Sequence, residues 1–361
     1  MQKPNRSTTI VNPSWFAREI HQRTLSFFDN ETRSFSDHRY LPGFLQLARS
    51  YLGEGKAYRA LAVSVGNFIA GGGPIGTDER ALQLGVAMEL YQASALVHDD
   101  LIDNSPTRRG HDSTHIAAAR KFNDADTGEA VAILIGDFLL SLNQLATTRA
   151  LAVTDAAVAN HIHAYMARIS AEVAWGQYLD VLTEHAPLDN PESLQRDVTD
   201  VIALKSGHYS VMRPLILGAL LQSPDRELLR AIETVGKSWG LAFQMRDDVI
   251  GIFGDAELTG KPTSSDIREG KRTVLLALTL QLANDQQIET IASVLGNPDA
   301  SEDHIDAVRE IIRETGAFHR HEEIIKEYVT KGHDIVDTLD LTPAQTQVLR
   351  QFGDLLVQRV H

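Results

Sequence analysis

Leu96-Val97-His98-Asp99-Asp100-Leu101-Ile102-Asp103-Asn104-Ser105-Pro106-Thr107-Arg108-Arg109-Gly110 is the stretch on which the reading of this chain turns. It closes a long helical pattern with three aspartates and adds two arginines after a four-residue gap. On a helix Asp99 and Asp103 are i and i+4, so they point the same way. Two stacked carboxylates repel unless something positive stands between them. Mg²⁺ suits the place: it takes oxygen ligands and commonly binds one or two carboxylates plus substrate phosphates. The arginines supply forked donors that match phosphate oxygens. The preceding residues, Leu90 to Val97, are largely apolar, so the acids emerge from a buried helix. The stretch reads as a Mg²⁺–diphosphate site.

Outward from it, the apolar spacing is mostly i, i+3, i+4. Helices are expected over 14–29, 38–52, 56–70, 77–104, 127–150, 155–180, 191–222, 225–252, 271–295, 301–315, 318–338 and 342–360. Between them stand separators such as Gly71-Gly72-Gly73-Pro74, Ser223-Pro224 and Gly296-Asn297-Pro298. The helices at 77–104 and 225–252 are small or apolar almost all round, which marks them as central. No repeat period and no long linker divides the chain. The expectation is a disordered tail over 1–12 and one all-α domain over 13–361, its helices packed around a central space.

Composition narrows the function. The net charge of −14 argues against nucleic acid as the main partner. An anionic substrate must therefore be drawn in locally, by metal and clustered Lys/Arg. The absence of cysteine excludes disulfides and thiolate chemistry. Met1 to Asn12 is polar and lacks the apolar core of a signal peptide. No run is read as reaching the roughly 18–20 apolar residues of a membrane span. A soluble cytoplasmic protein is expected.

A second acidic stretch runs from Gly240 to Asp255, and in it Gln244 and Asp247 share a face at i, i+3. The glycine-punctuated segment from Gly254 to Gly270, with Lys261 inside it and Lys271 after it, reads as a phosphate-gripping flap. Lys56 and Arg59 open a helix, where anions are favoured. Lys205 lies in an otherwise apolar run, either snorkelling or facing a polar cavity.

Taken in order, Asp99-Asp100-x-x-Asp103-x4-Arg108-Arg109-Gly110, Lys205-Ser206, Phe243-Gln244-x-x-Asp247-Asp248, Gly260-Lys261 and Asp266 to Lys271 resemble the trans-isoprenyl diphosphate synthases. The resemblance implies an isoprenoid-synthase-type helical bundle around a deep central cavity, usually a homodimer. It implies head-to-tail condensation of isopentenyl diphosphate with an allylic diphosphate, assisted by three Mg²⁺ ions. Asp99, Asp103 and Asp247 match the metal ligands, with Asp100, Asp248 and Asp266 as outer-shell partners. Arg108, Lys205 and Lys261 match positions that hold the allylic diphosphate, with Gln244 and Lys271 nearby and Ser206 keeping a hydroxyl common in the family. Lys56, Arg59, Gln92 and Arg109 match the isopentenyl diphosphate pocket. Two departures stand out. The basic motif at Glu54-Gly55-Lys56-Ala57-Tyr58-Arg59-Ala60 lacks one arginine and a proline, and Gly251 stands where many members carry a third Asp.

The implied chemistry is ionisation to an allylic cation, attack by the alkene and loss of a proton, with pyrophosphate as the base. Mg²⁺ and Lys/Arg donors would stabilise the leaving charge. His98 adjoins the first acid but is expected to face a neighbouring helix. Product length should follow the helix below Asp99. Ala95 and Ser94 leave the first turn open, and Tyr91, roughly 12 Å below Asp99, would floor the cavity at about twenty carbons. Residues of the facing helix, around Phe138 to Leu142, could override this. The expectation is a geranylgeranyl diphosphate synthase; a farnesyl or longer-chain synthase stands next. A class I terpene cyclase would leave Lys56, Arg59 and Arg109 unexplained, and non-catalytic partner subunits commonly lose an acidic motif that this chain keeps.

Overall fold

The computed structural model describes residues 12–35, 37–254 and 265–358. The expected tail at 1–12 therefore lies almost wholly outside the described residues, as does Lys261 with the middle of the proposed flap. The fold is an all-α helical bundle, as expected. Among the described residues the only strands are Thr107–Arg108 and His111–Asp112, which form a two-residue antiparallel hairpin.

The chain divides into two compact units. The first comprises Met1–Met166, Pro214–Leu229 and Leu341–Leu349. Its core gathers Phe27, Phe28, Leu52, Leu90, Val97, Ile135, Leu139 and Leu142. The helix Glu79–Ile102 runs against the helix Ala125–Ala150 through side-chain bonds to backbone: Ser94 Oγ donates to the Gly136 carbonyl (2.8 Å) and Asn143 Nδ2 to the Ala87 carbonyl (2.8 Å). Both polar groups are thus satisfied although buried. The helix Ala125–Ala150 is long and apolar enough to cross a membrane by length and composition, although Glu129 and Asp137 interrupt its apolar run. It buries Ala132, Ile135, Leu139, Leu142 and Ala146 in the unit's core, so its apolarity has a packing use.

The second unit comprises Ala167–Arg213, Arg230–Asp340 and Arg350–His361. Its core includes Leu194, Val198, Met245, Val249, Val274, Leu275, Ile305 and Ile325. Trp239, fully buried, is seated against Gly332 and Gly353, where a methyl group would meet its ring at 2.1 and 2.6 Å.

Several elements differ from the expected ones. The helix expected over 191–222 is α-helical over Pro191–Val201, π-helical over Ile202–Met212 and α-helical again over Arg213–Leu220. The helix expected over 271–295 is two, Val274–Leu282 and Asp285–Val294, because Asn284 and Gln287 form a reciprocal capping box. A helix at Thr114–Phe122 was not anticipated; His111 to Lys121 offers little large apolar periodicity.

Candidate active site

In the first unit the helix Glu79–Ile102 ends with Asp103 as its C-cap, and Asn104 follows in the left-handed conformation at φ 49. Asn is one of the few residues that tolerate that stop. Asp99 and Asp103 therefore stand one turn apart at the helix end, both partly exposed. Asp100 does not join them. It is fully buried, accepting from Tyr51 Oη at 2.7 Å and from Arg108 Nε at 2.8 Å. Arg108 Nη2 lies 3.7 Å from Asp99. Burial works against the Arg108 charge, but Asp100 outweighs it and holds its pKa above the ordinary guanidinium value. Burial and Asp100 likewise push the Tyr51 phenol up. Asp100 is thus the anchor of Arg108.

The hairpin separates the two neighbouring arginines. Arg109 and Gly110 form its turn with φ 52 and 78, the double left-handed geometry of a type I′ turn. Arg108 turns to Asp100, whereas Arg109 reaches Glu54 at 3.8 Å and packs on Gly55, where a methyl group would stand 3.3 Å from Nη2. Gly55 begins the segment that carries Lys56 and Arg59. The structure therefore brings Arg109 to the Lys56–Arg59 segment that matched the same pocket in sequence. Lys56 is exposed, its Nζ 5.8 Å from the Tyr58 ring; Arg59 is partly buried. Gln92 is partly buried on the Glu79–Ile102 helix.

The residues below Asp99 sort by face. Tyr91 is buried at 6 % exposure, Ala95 is half-buried, and Met88 is fully buried. Ser94 belongs to the contact with Gly136 instead. His98 follows Ser94 one turn later. Its Nε2 is 3.4 Å from the Ile133 carbonyl and 3.8 Å from Asp137, and a methyl group at Gly136 would collide with its ring. Phe138 packs among Phe28, Phe35 and Phe44, with centroids at 6.2, 5.7 and 5.1 Å.

In the second unit Lys205 and Ser206 lie in the π-helix Ile202–Met212, an irregularity that often marks functional positions. A methyl group at Gly176 would stand 2.4 Å from the Lys205 backbone nitrogen, so the helix Ala156–Glu184 comes close there. One turn on, buried Asp180 pairs with Lys205 Nζ. Gly207 and Gly240 meet backbone to backbone, which docks the π-helix on the helix Arg226–Phe253. One and two turns beyond Gly240 come Gln244 and Asp247, both partly exposed. Asp248 is buried and accepts from Gln244 Nε2 at 3.3 Å; Lys271 Nζ is 3.6 Å away and also 3.8 Å from Asp266. Burial pushes the Asp248 carboxyl up to about 6, Asp266 adds to the push, and Lys271 opposes it. The departure at Gly251 acquires a reason. A methyl group there would lie 2.1 Å from Asp266 Oδ2, so the Asp266 carboxylate fills the space that a side chain at 251 needs.

Tyr51, Glu54 and Asp180 escaped the sequence reading. They act across long sequence separations, and no local motif announces them. As for a metal, among the described residues no group of three His, Asp or Glu side chains is placed to hold one alone. The donor set is nevertheless all oxygen and comes as a pair one turn apart. That suits Mg²⁺, which takes substrate phosphates to complete its shell.

Comparison with known proteins bears on this arrangement. The polyprenyl synthetase family profile matches residues 42–312. A geranylfarnesyl diphosphate synthase of Aeropyrum pernix is 30 % identical over 317 residues, covering 85 % of this chain and 91 % of its own. A (2E,6E)-farnesyl diphosphate synthase of Mycobacterium tuberculosis is 31 % identical over 84 % of this chain and 80 % of its own. Among solved structures, a geranylgeranyl pyrophosphate synthase of Corynebacterium glutamicum, complexed with isoprenyl diphosphate and magnesium, superposes with a TM-score of 0.89 at 31 % identity. The match covers 97 % of this chain and all of that one.

Proposed function

The chain belongs to the polyprenyl synthetase family and is a trans-prenyltransferase, and we propose that its product is geranylgeranyl diphosphate, formed from isopentenyl diphosphate and an allylic diphosphate. The observation that carries the length is the face below Asp99. It is small at Ala95 and closed by buried Tyr91 two turns down, with no aromatic ring at the first turn. The geranylfarnesyl relative keeps a twenty-five-carbon product as the second reading.

In this reading Asp99, Asp103 and Asp247 hold Mg²⁺, three ions per site, with Asp248 and Asp266 behind them. When bound, the metal neutralises charge on the departing diphosphate. Arg108, held rigid by Asp100 and Tyr51, and Lys205, held by Asp180, present fixed cations to the allylic diphosphate. Fixed donors stabilise developing charge without reorganising during the reaction. Lys271 and Gln244 steady the second motif, and Lys261 is assigned to the same diphosphate from outside the described residues. Lys56, Arg59, Gln92 and Arg109 bind isopentenyl diphosphate. His98 is committed to the neighbouring helix, which leaves the released pyrophosphate as the proton acceptor. A homodimer goes with this reading. Ile133, Leu134 and Leu145 are exposed on the helix Ala125–Ala150, an apolar strip a second copy would cover. So does a cytoplasmic location, since both substrates are diphosphates.

Product analysis tests the proposal. The protein is incubated with Mg²⁺, isopentenyl diphosphate, and dimethylallyl, geranyl or farnesyl diphosphate in turn, and the dephosphorylated alcohols are sized. A twenty-carbon alcohol is expected from all three primers. Accumulation of a shorter or longer alcohol would remove Tyr91 as the floor.

A further inference from the structure

One acid on the Glu79–Ile102 helix has no part in the site as described. Glu89 follows Gly85 by one turn, and a methyl group at Gly85 would stand 3.0 Å from the Ala60 Cβ. This part of the helix therefore lies against the start of the helix Tyr58–Ile69. That helix begins without a cap of its own: its N-cap residue is Ala57, left-handed at φ 49, which offers no side-chain acceptor. The Ala60 N–H is one of the first-turn donors that no intrahelical carbonyl can satisfy. It donates to the Glu89 carboxylate. Arg59 from the same turn and Arg109 from the hairpin both act on that carboxylate. Around Arg109 stand Glu54 and, from the helix Pro13–Thr32, His21. Burial pushes Glu89 up to about 7 against the pull of the two arginines.

A carboxylate in this position and an incoming diphosphate compete for the same donors. We propose that Glu89 is the positioning residue of the Lys56–Arg59–Arg109 pocket, holding the helix start and both guanidiniums ready and taking up a proton when a prenyl diphosphate claims the arginines. The inference rests on the reading of this pocket as the isopentenyl diphosphate site. Its physics is simple. A second anion nearby disfavours the charged carboxylate, and by reciprocity a neutral carboxyl favours the anion. The proton comes from solvent and resides on a Glu89 carboxyl oxygen; no covalent bond changes.

The test uses isopentenyl diphosphate alone, so that no turnover occurs. It is titrated calorimetrically into the Mg²⁺-loaded protein at pH 7.5, in buffers of different ionisation enthalpy, to count protons taken up. Glu89→Gln keeps an amide oxygen for the Ala60 N–H but cannot titrate. The wild type should take up more protons than this variant; the ligand's own ionisation is common to both and cancels. In turnover, the wild-type KM for isopentenyl diphosphate should rise roughly tenfold between pH 6.5 and 8.5, with kcat following a separate profile. The Gln variant should lose that excess rise. Glu89→Ala should raise KM at every pH, and Gln should restore it at pH 8.5. Equal proton counts and equal KM slopes in wild type and Glu89→Gln would overturn the role of Glu89. Arg109→Ala separates the two ideas: if it leaves isopentenyl diphosphate binding intact, the pocket assignment falls, and the inference with it.

Discussion

Replacing Tyr91 with alanine is expected to lengthen the product from twenty to about twenty-five carbons. The magnitude follows from the helix. Tyr91 is two turns below Asp99, and the next residue down that face is Met88, three positions deeper, or about 4.5 Å at the helical rise. That distance admits about one further isoprene unit before fully buried Met88 closes the path. The substitution also removes a buried ring, which costs about 3–5 kcal/mol in a well-packed core. Folding is therefore checked by circular dichroism before products are sized. Ala95→Phe works in the opposite sense. It places a ring one turn below Asp99 on a half-buried face and should shorten the product to fifteen carbons. Ser94→Phe supplies the control, because Ser94 is 2 % exposed and bonded to the Gly136 carbonyl. A ring there overpacks the helix contact, at about 1–3 kcal/mol, and should lower stability without setting chain length. Unchanged products from both Tyr91→Ala and Ala95→Phe would refute the assignment of this face to the growing chain.

Asp100→Asn should destabilise the protein by about 3–5 kcal/mol, since it leaves Arg108 buried without its counter-charge. Tyr51→Phe, which removes one bond to the same carboxylate, should cost less, about 1.5–3 kcal/mol; urea unfolding of the two variants shows whether the order holds. Gly251→Asp restores the third acid common in the family, yet its Cβ would collide with Asp266. The expected result is a higher Mg²⁺ concentration for half-maximal activity, and a lower one would show that Asp266 does not need that space. His321 is fully buried, and burial lowers its pKa to about 4 from 6.5. The unfolded chain therefore binds the extra proton between those values, and stability falls as pH drops from 6.5 towards 4. His321→Leu should shrink the loss of thermal stability between pH 7 and pH 5.

How much of this was legible depended on range. The helices with strong apolar periodicity and clear separators, such as Glu79–Ile102 and Ala125–Ala150, were read to within a few residues because the signal is local. The hairpin was not: Arg109-Gly110 at its turn lacks the Asn-Gly or Asp-Gly pair that usually announces such a turn, and four strand residues carry no alternation to detect. The π-helix escaped because its composition is that of an ordinary helix, and the glycines that approach it, Gly176 and Gly240, stand on two other helices. Within the site, the i, i+4 spacing placed Asp99 and Asp103 correctly on one face. It could not tell that Asp100 points inward, because the decisive partners, Tyr51 and Arg108, lie 49 and 8 residues away. Ser94 and Ala95 looked interchangeable in sequence, and only the neighbouring Gly136 carbonyl separates them.

The charges of the two units follow one pattern. Four of the site's cations are already near an acid: Arg108 with Asp100, Arg109 with Glu54, Lys205 with Asp180, Lys271 with Asp248 and Asp266. Such pairing lets cations be partly buried in a chain of net charge −14 without leaving an uncompensated charge. It also weakens each of them towards a diphosphate, because the acid stays in place when the substrate arrives. Attraction strong enough for binding then needs positive charge from outside the protein, delivered where Asp99 and Asp103 stand together. Binding of an unreactive allylic diphosphate analogue should therefore weaken at least tenfold in EDTA, a loss of about 1.4 kcal/mol. Restoring ionic strength with NaCl should not recover it, because screening reduces the pull of the cations as much as the push of the acids. If the analogue bound equally well with and without Mg²⁺, the paired cations would be sufficient by themselves, and the acids at 99 and 103 would need another explanation.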